Sequence, residues 1–285
     1  MKVYEFICER STVSPVRQLC RVLGVSPSAY YRWRAEPVSE HAKADEQLLK
    51  RIRSIHQAHR GVYGSPRVHD SLHDEGIRCS KKRVARLMRE HDIRAKTVRR
   101  FKVTTRSDRS KQCVDLVSRD FHVQEPNRIW SSDITYIPTR EGWVYLVIIL
   151  DLHSRRVVGW ELGARLTANL LTSALDRALA ARNISAGLIL HSDRGSQYTG
   201  EQLQMVIKRH GLKQSFAFSC YDNAVSESFM HTIKSEHIQF QEFRARDDVR
   251  QSIFDYIEVF YNRQRKHSTL GMKSPVQFEE QHLSP

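Results

Sequence analysis

Three acidic residues in the C-terminal half of the chain stand in surroundings that favour metal-dependent chemistry. Asp133 lies within an apolar segment, Asp193 directly follows another, and Glu227 lies one turn into a helical pattern. Carboxylate oxygens are the hard ligands that Mg²⁺ or Mn²⁺ prefers, and these ions share their coordination with substrate phosphates. Two ions about 3.5 to 4 Å apart would activate an attacking oxygen and stabilise a leaving one. The trio therefore predicts a site for phosphodiester chemistry without a protein nucleophile.

The charge of the chain indicates a polyanionic partner. The net charge is +14 and the isoelectric point is about 9.8. Residues 1–125 hold 27 Lys and Arg against 15 Asp and Glu, whereas residues 126–285 hold 19 against 17. Nucleic acid is the simplest such partner, although an anionic membrane surface would also suit the charge alone. No segment is long and apolar enough to cross a bilayer, so a cytoplasmic protein without membrane contact is expected.

The segments after residue 126 predict an α/β fold. Strands are expected at 129–137, 143–151, 155–162, 187–191 and 213–218, and helices at 168–182, 199–210 and 223–236. This order is typical of a mixed sheet with helices on its faces. If the first strand pairs with the fourth, Asp133 and Asp193 meet at one sheet edge, and the last helix can bring Glu227 to them.

Two further side chains share the helix of Glu227. Lys234 lies two helical turns after Glu227 and His231 lies at the intervening turn, so all three project from one face. Lys234 is predicted to hold a phosphate beside the metal ions, with His231 near the substrate. The alternative for Lys234 is an ordinary solvated cation.

The N-terminal part predicts small all-α modules that bind DNA. Residues 1–38 have a helix-turn-helix outline around Gly24, in which Tyr30, Tyr31, Arg32 and Arg34 face a DNA groove. A surface helix hairpin is the alternative. A polar spacer, residues 36–44, is expected to follow.

A second helical module is predicted at 45–98. Its last helix, near 80–91, has an apolar side and carries cations for the phosphate backbone at Lys81, Lys82, Arg83 and Arg86. A merely solvated charged face is the alternative. Residues 99–125 are expected to form a basic linker, which begins with Arg99 and Arg100 on DNA, before a core at 126–238 and a helical extension at 239–285.

Other patterns are expected to be structural. His69 and His73 have the spacing of a metal pair but no second pair, and His191 is favoured as a strand-end residue. Asp222 and Asn223 could cap the helix of Glu227. Packing roles are expected for the four tryptophans and for an apolar stripe in the C-terminal helix at Val249, Ile253, Ile257 and Phe260.

Several short motifs around the trio resemble those of one transposase family. The motifs are Trp130-x-x-Asp133-Ile134-Thr135-Tyr136, His191-Ser192-Asp193-x-Gly195-x-Gln197-Tyr198, Tyr221-Asp222-Asn223-Ala224, Glu227-Ser228-Phe229 with Lys234 and Glu236, and Tyr261-Asn262-x-x-Arg265-x-His267-x-x-Leu270-Gly271. They are similar to the catalytic core of DDE transposases and retroviral integrases. The resemblance is closer to the second-frame (OrfB) transposases of the bacterial insertion-sequence family named after its third numbered element, and it covers about residues 45–280. One departure is the segment between Asp193 and Glu227, which is slightly shorter than is usual in that family.

The resemblance implies a ribonuclease-H-like core and a Mg²⁺-dependent reaction, with Mn²⁺ as a possible substitute. In that reaction water or a DNA 3′ hydroxyl attacks a phosphodiester at the ends of an insertion sequence. Asp133, Asp193 and Glu227 take the catalytic and metal-ligand roles. The implied partners are the terminal inverted repeats, target DNA, further copies of the chain, and the upstream-frame (OrfA) protein or a frameshift fusion to it.

Two other functions remain open from the sequence. One is a non-catalytic DNA-binding regulator, including a decayed transposase that binds DNA without joining it. The other is a structure-specific nuclease on the same fold, which would hydrolyse DNA without joining it.

Overall fold

The computed structural model describes residues 2–35, 40–96, 115–217 and 220–283. The chain divides into two compact units, unit 1 at residues 1–94 and unit 2 at residues 95–285. None of the helices in the described ranges is long and apolar enough to cross a membrane.

Unit 1 begins with three short helices: α1 (Lys2–Arg10), α2 (Val16–Val22) and α3 (Pro27–Ala35). The sequence pattern predicted only the last two. Tyr30 is fully buried, with Ile7 and Cys20, where these helices meet. The prediction that Tyr30 faces DNA was therefore wrong, because its ring forms the core of this small bundle, whereas Tyr31, Arg32 and Arg34 are exposed.

Three further helices complete unit 1: α4 (Glu40–Ala58), α5 (Ser65–Asp74) and α6 (Lys81–Glu90). Helix α4 starts inside the predicted polar spacer, since Glu, Ala and Lys are polar or small yet favour helix. Its first turn also contains an ion pair between Glu40 and Lys43 (2.7 Å). The helix α6 begins after Ser80, whose hydroxyl accepts a hydrogen bond from the backbone N–H of Arg83 (3.2 Å) and so caps it.

Unit 2 contains a five-stranded mixed sheet. Its strands are β1 (Ile129–Thr139), β2 (Gly142–Asp151), β3 (Val157–Gly163), β4 (Ile189–Ser192) and β5 (Lys213–Phe216). They lie in the order β3-β2-β1-β4-β5, with β1, β2 and β3 antiparallel and β4 and β5 parallel to β1. The predicted pairing of the first strand with the fourth is confirmed.

The lengths of these strands create a free edge. Strand β4 ends at Ser192, which pairs with Ser132, whereas β1 continues to Thr139. The outer half of the β1–β2 hairpin therefore extends past the last β1–β4 pair. Asp133 and Asp193 are the first residues beyond that pair, so both aspartates lie at the point where β4 stops pairing with β1.

Helices cover the sheet. Residues of α7 (Ala168–Ala181) and α8 (Glu201–Arg209) pack with Trp130, Val147 and Ile149 in the main apolar core. Helix α9 (Ala224–Glu236) packs against β1. It is followed by α10 (Arg246–Phe254), which continues as a π-helical segment (Asp255–Tyr261), and by α11 (Pro275–Leu283).

The C-terminal segment packs on the sheet domain. The predicted stripe is confirmed as a packing surface, since Val249, Ile253, Ile257 and Phe260 are all fully buried. Asn262 bonds strand β3 twice, because its side chain accepts from the N–H of Val157 and donates to the carbonyl of the same residue (both 3.0 Å).

One predicted packing residue proves to be exposed. Trp143 is 51% exposed, unlike Trp130 and Trp160, which are buried. It lies near the tip of the β1–β2 hairpin, past the part of the sheet that the core cluster of α7 and α8 covers.

Candidate active site

Two neighbouring strands position the two aspartates. Asp133 is half-buried on β1 and Asp193 is exposed directly after β4. Each uses one carboxylate oxygen for a backbone N–H nearby: Asp133 Oδ1 accepts from Ile134 (2.8 Å), and Asp193 Oδ1 accepts from Gly195 (3.1 Å). Both carboxylates are therefore held in place by backbone at the same end of the sheet.

Gly195, two residues after Asp193, stands where any larger residue would crowd two neighbouring side chains. A Cβ at Gly195 would lie 2.9 Å from Gln197 Oε1 and 3.2 Å from Asp193 Oδ1. The same turn leads to Tyr198, which is buried and whose hydroxyl lies 2.9 Å from Ser132 Oγ. The Asp193-x-Gly195-x-Gln197-Tyr198 motif thus shapes a tight turn and fastens it to β1.

A buried hydroxyl network positions the helix that carries Glu227. Ser131 Oγ on β1 donates to Asn223 Oδ1 (2.5 Å) and lies 2.6 Å from Ser226 Oγ. Asn223 Nδ2 donates to the carbonyl of Ser132 (3.2 Å). These bonds join the first turn of α9 to the strand of Asp133 and so place Glu227 in the first turn beside it.

The expected capping role of Asn223 was wrong. It occupies the N-cap position of α9, but its side chain forms no capping bond because it is bound to β1. Asp222 accepts instead from Arg119 Nε (2.6 Å). Neither residue could be assigned from local sequence, since both partners are distant along the chain.

His191 has the structural role that the sequence favoured. It is fully buried, with Nε2 2.9 Å from the carbonyl of Asp222 and Nδ1 2.9 Å from Ser215 Oγ. A carbonyl only accepts, so Nε2 carries the proton. Burial lowers the pKa of His191, which keeps the ring neutral as a tie between β4, β5 and the turn before α9.

The carboxylates share one electrostatic field. Burial, with the negative charges of Asp193 and Glu227, raises the pKa of Asp133 to about 7, against the opposing effects of the Ile134 N–H and Lys234. Partial loss of hydration in the surrounding protein also raises the pKa of Asp193 and, together with the negative charge of Asp193, that of Glu227, although both side chains keep solvent access. The three acids are therefore close enough to repel one another.

The chemistry of this cluster suits a divalent cation. All three donors are carboxylates, and a cation between them would relieve their repulsion. In the described ranges no three His, Cys, Asp or Glu side chains are gathered tightly enough to be a preformed metal site. The residues fit Mg²⁺ by donor type and by charge, and side-chain rotation must complete the coordination.

Lys234 lies beside the outer part of β1, near Asp133. Its Nζ is 5.4 Å from the centre of the Tyr136 ring, within cation–π distance. Burial lowers the pKa of Lys234, and Asp133 opposes that shift. His231, one turn earlier on α9, is exposed.

Two motif residues near Lys234 are structural. Arg265 donates to both carboxylate oxygens of Glu236 (2.6 and 2.7 Å), and Tyr256 donates to the same acid (3.1 Å). This pair fastens the end of α9 to the C-terminal segment.

Asp151, which ends β2, is also structural, since it is fully buried and accepts hydrogen bonds from the backbone N–H groups of Asn127 and His153.

The predicted DNA-binding cations differ in their surroundings. On α6, Lys81 and Lys82 are exposed, whereas Arg83 and Arg86 each donate to Asp45 at 2.6 Å. Arg99 and Arg100 lie outside the described residues.

Family models and proteins of similar sequence match most of the chain. An integrase core domain model matches residues 123–218, a second integrase core domain model matches 227–283, and an HTH-like domain model matches 43–101. An uncharacterised 31 kDa protein of insertion element IS600 from Shigella sonnei is 40% identical over 267 residues, which cover 93% of this chain and 98% of that protein. Transposase InsF for insertion sequence IS3A from Escherichia coli K12 is 38% identical over 286 residues, 99% of each chain.

The chain belongs to the IS3-type insertion-sequence transposases with an integrase core. It is a DDE-type polynucleotidyl transferase, and the resemblance seen in the sequence is confirmed. Solved structures are more distant. The HTLV-2 integrase catalytic core domain in complex with magnesium is 17% identical with a TM-score of 0.43, covering 54% of this chain and 97% of its own. A chain of the simian T-cell lymphotropic virus intasome in complex with PP2A regulatory subunit B56 gamma is 15% identical with a TM-score of 0.46, covering 82% of this chain and 75% of its own.

Sequence reasoning missed the residues that hold the transposase site together. Asn223 lies within a motif, and Ser131 and Ser226 stand among or beside the motif residues, yet nothing local shows that the three bond one another. The only available clue was the density of small hydroxyl residues beside each acid. The exposed pair of Tyr136 and Trp143 was missed because aromatic residues in a strand usually pack inside.

Proposed function

We propose that the transposase binds the terminal inverted repeats of its element and performs Mg²⁺-dependent strand cleavage and strand transfer with Asp133, Asp193 and Glu227. The observation that carries this proposal is the placement of Asp133 and Asp193 directly after the last paired residues of β1 and β4, with Glu227 in the first turn of the helix that Asn223 bonds to β1. The raised pKa of Asp133 beside the other two acids agrees with it. Acids in a structural role normally have a cationic partner. This cluster instead favours a cation that arrives with the substrate.

Each side chain has a defined part in this function. Bound Mg²⁺ would activate the attacking oxygen and stabilise the leaving one. Asp133 presents its oxygens from within β1 and Asp193 from directly after β4, and Glu227 completes the set from the first turn of α9. Lys234 offers a positive charge to a non-bridging phosphate oxygen, and exposed His231 lies on the same helix toward the DNA. Water or a 3′ hydroxyl attacks phosphorus, and the P–O bond to the leaving strand breaks.

An in vitro assay with labelled inverted-repeat duplex and Mg²⁺ tests the proposal. Replacing Asp193→Asn should lower both cleavage and joining about a thousandfold or more, because a metal ligand is lost. The dissociation constant for the same duplex should change less than about twofold, since the phosphate contacts remain. Asp176→Asn, at an exposed position on α7, is the matched control and should stay active.

Equal activity in the Asp193→Asn variant would remove the proposal. A wild-type chain that binds the duplex but forms no product would instead favour the non-catalytic regulator. Joined products run as branched species longer than the substrate, so hydrolysis without them would favour the structure-specific nuclease.

We infer that helix α6 contributes phosphate contacts through Lys81 and Lys82. Both are exposed, whereas Arg83 and Arg86 are paired with Asp45 and contribute less. The double variant Lys81→Gln, Lys82→Gln should reduce the slope of log affinity against log salt by about 2, since each phosphate contact contributes about 0.9. Lys50→Gln, at an exposed lysine paired with Glu46, should leave the slope unchanged. An unchanged slope in the double variant would exclude α6 from the interface.

We also infer that the transposase acts as a homo-oligomer on DNA in the bacterial cytoplasm, with the upstream-frame protein or a fusion to it. Family membership supports this inference, because cutting and joining two element ends requires both to be held in one complex. The assay above, run with and without the upstream-frame protein, should give more joined product when it is present. Equal yields would show that this chain acts without it.

A further inference from the structure

Two large aromatic side chains are exposed close to the proposed active site. Tyr136 is 56% exposed and Trp143 is 51% exposed. Their ring centroids are 5.0 Å apart at an interplanar angle of 87°, an edge-to-face pair. Rings of this size normally bury most of their surface, so the exposure of two in contact indicates a partner.

The sheet topology explains why this pair is uncovered. Tyr136 lies opposite Tyr145, and Trp143 lies opposite Pro138, on the part of the β1–β2 hairpin past the end of β4. Ile134 and Tyr145 are partly buried against the core cluster of α7 and α8. Tyr136 lies two residues past Ile134, and Trp143 lies two residues before Tyr145, each nearer the tip of the hairpin, and both are exposed.

The charge beside the pair fits a nucleotide. Lys234 Nζ lies 5.4 Å from the centre of the Tyr136 ring, and Lys234 shares an electrostatic field with Asp133, three residues before Tyr136 on the same strand. A nucleotide combines an anionic phosphate with a flat base. The phosphate suits Lys234 and the base suits an open aromatic face, at the point where the strand to be cut must pass.

We propose that Tyr136 and Trp143 form a stacking platform for an unpaired base next to the phosphodiester under attack. This proposal rests on the proposed function, because it assumes that a DNA strand reaches Asp133. Stacking on aromatic rings is tolerant of base identity and holds single-stranded segments in an ordered path. The platform would therefore position the opened strand, while Asp133, Asp193 and Glu227 perform the chemistry.

Fluorescence of 2-aminopurine tests the platform without relying on turnover. The probe is an inverted-repeat duplex with an unpaired flank that contains 2-aminopurine, bound to the full chain with Ca²⁺ in place of Mg²⁺ to keep the DNA uncut. Stacking should quench the probe on wild-type protein. The double variant Tyr136→Ala, Trp143→Ala should lose the quench and bind the flanked duplex about tenfold more weakly, with less than about a twofold change for a fully paired duplex.

Two control variants separate stacking from folding. The double variant Tyr136→Phe, Trp143→Phe keeps both rings and should retain the quench. Phe254→Ala removes a ring of similar exposure, 53%, on α10 and should also retain it. Thermal unfolding of the double alanine variant within a few degrees of wild type shows that the fold is intact.

The outcomes distinguish the platform from the proposed function. Unchanged quench and affinity in the double alanine variant overturn the platform, even if cleavage and joining are observed. If the double alanine variant loses self-association in sedimentation while its quench is unchanged, the aromatic pair contacts another copy of the chain, and the platform is also overturned. A quench that depends on both rings, with no cleavage or joining by wild-type protein, supports the platform while the proposed function fails.

Discussion

Two acids in unit 2, the buried Glu279 and the half-buried Asp133, have opposite electrostatic surroundings. Glu279 on α11 is 3% exposed and is bonded by Ser154, Arg156 and Arg182 at 2.7 to 2.8 Å. Burial alone would raise its pKa, but the hydrogen bonds from Arg182 and Ser154 hold that pKa below its usual value. Asp133, in contrast, has two acids among its neighbours and a pKa raised to about 7.

The contrast separates an acid that the fold neutralises from one whose charge it leaves uncompensated. A buried charge costs free energy unless it is paired and hydrogen-bonded. At Glu279 the fold supplies two arginines, one directly before β3 and one directly after α7, which fasten α11 to both elements. Around Asp133 two acids add negative charge that Lys234 only partly opposes, so the excess negative charge remains available for cations. Three measurements on two variants can sharpen or break this contrast.

The largest effect on stability is expected at Glu279. Glu279→Gln should lower the free energy of unfolding of unit 2 by about 3 to 5 kcal/mol, because Arg156 and Arg182 lose their shared buried partner. Denaturant unfolding followed by tryptophan fluorescence measures the change. Glu201→Gln, at an exposed acid in the first turn of α8, should change it by less than about 0.5 kcal/mol. A loss below about 1 kcal/mol would show that Glu279 is not a structural acid.

The pH dependence of the stability loss in Glu279→Gln follows from the direction in which the fold shifts the pKa of Glu279. The pKa of Glu279 is lower in the folded chain than its ordinary value of 4.5, so the folded state favours the ionised acid. Its contribution is fully present above pH 4.5 and disappears as the pH falls through the folded pKa. The difference in unfolding free energy between wild type and Glu279→Gln should therefore shrink below pH 4.5. A constant difference from pH 7 to pH 3.5 would contradict the ionic character of this contact.

The smallest effect is expected at Asp133, with the opposite sign. Asp133→Asn in EDTA should raise the free energy of unfolding by about 1 to 2 kcal/mol, because it removes a desolvated charge repelled by Asp193 and Glu227. The same unfolding assay measures it. A clear loss of stability would mean that this carboxylate is already satisfied within the fold, and the contrast with Glu279 would fail.

The order of the strands and the position of the trio could be predicted from the sequence. The apolar segments of unit 2 are long or sharply bounded, and each predicted strand and helix is found with its ends shifted by a few residues. The short segment before Asp193 and the longer one around Asp133 pair as expected. Their pairing brings two distant aspartates together, since Asp133 and Asp193 each directly follow the last paired residues of the two parallel strands.

The errors lie where packing between elements decides. Tyr30 was expected on a DNA-facing surface and is buried, while Trp143 was expected inside and is exposed. Both residues are aromatic, and their burial differs because neighbouring helices cover Tyr30 but leave Trp143 exposed. The division of the chain into five segments stays a prediction about boundaries.

The sequence by itself determined which acids are available, how they are spaced and to which family the chain belongs, because these depend on residue type and order. Only the tertiary structure decided which acids are neutralised. Arg182 and Arg156 reach Glu279 from about a hundred residues away, whereas Asp133 lies in the field of two further acids and of Lys234. Charge balance in a cleft depends on such distant contacts, since the Coulomb interaction follows distance in space and not position along the chain.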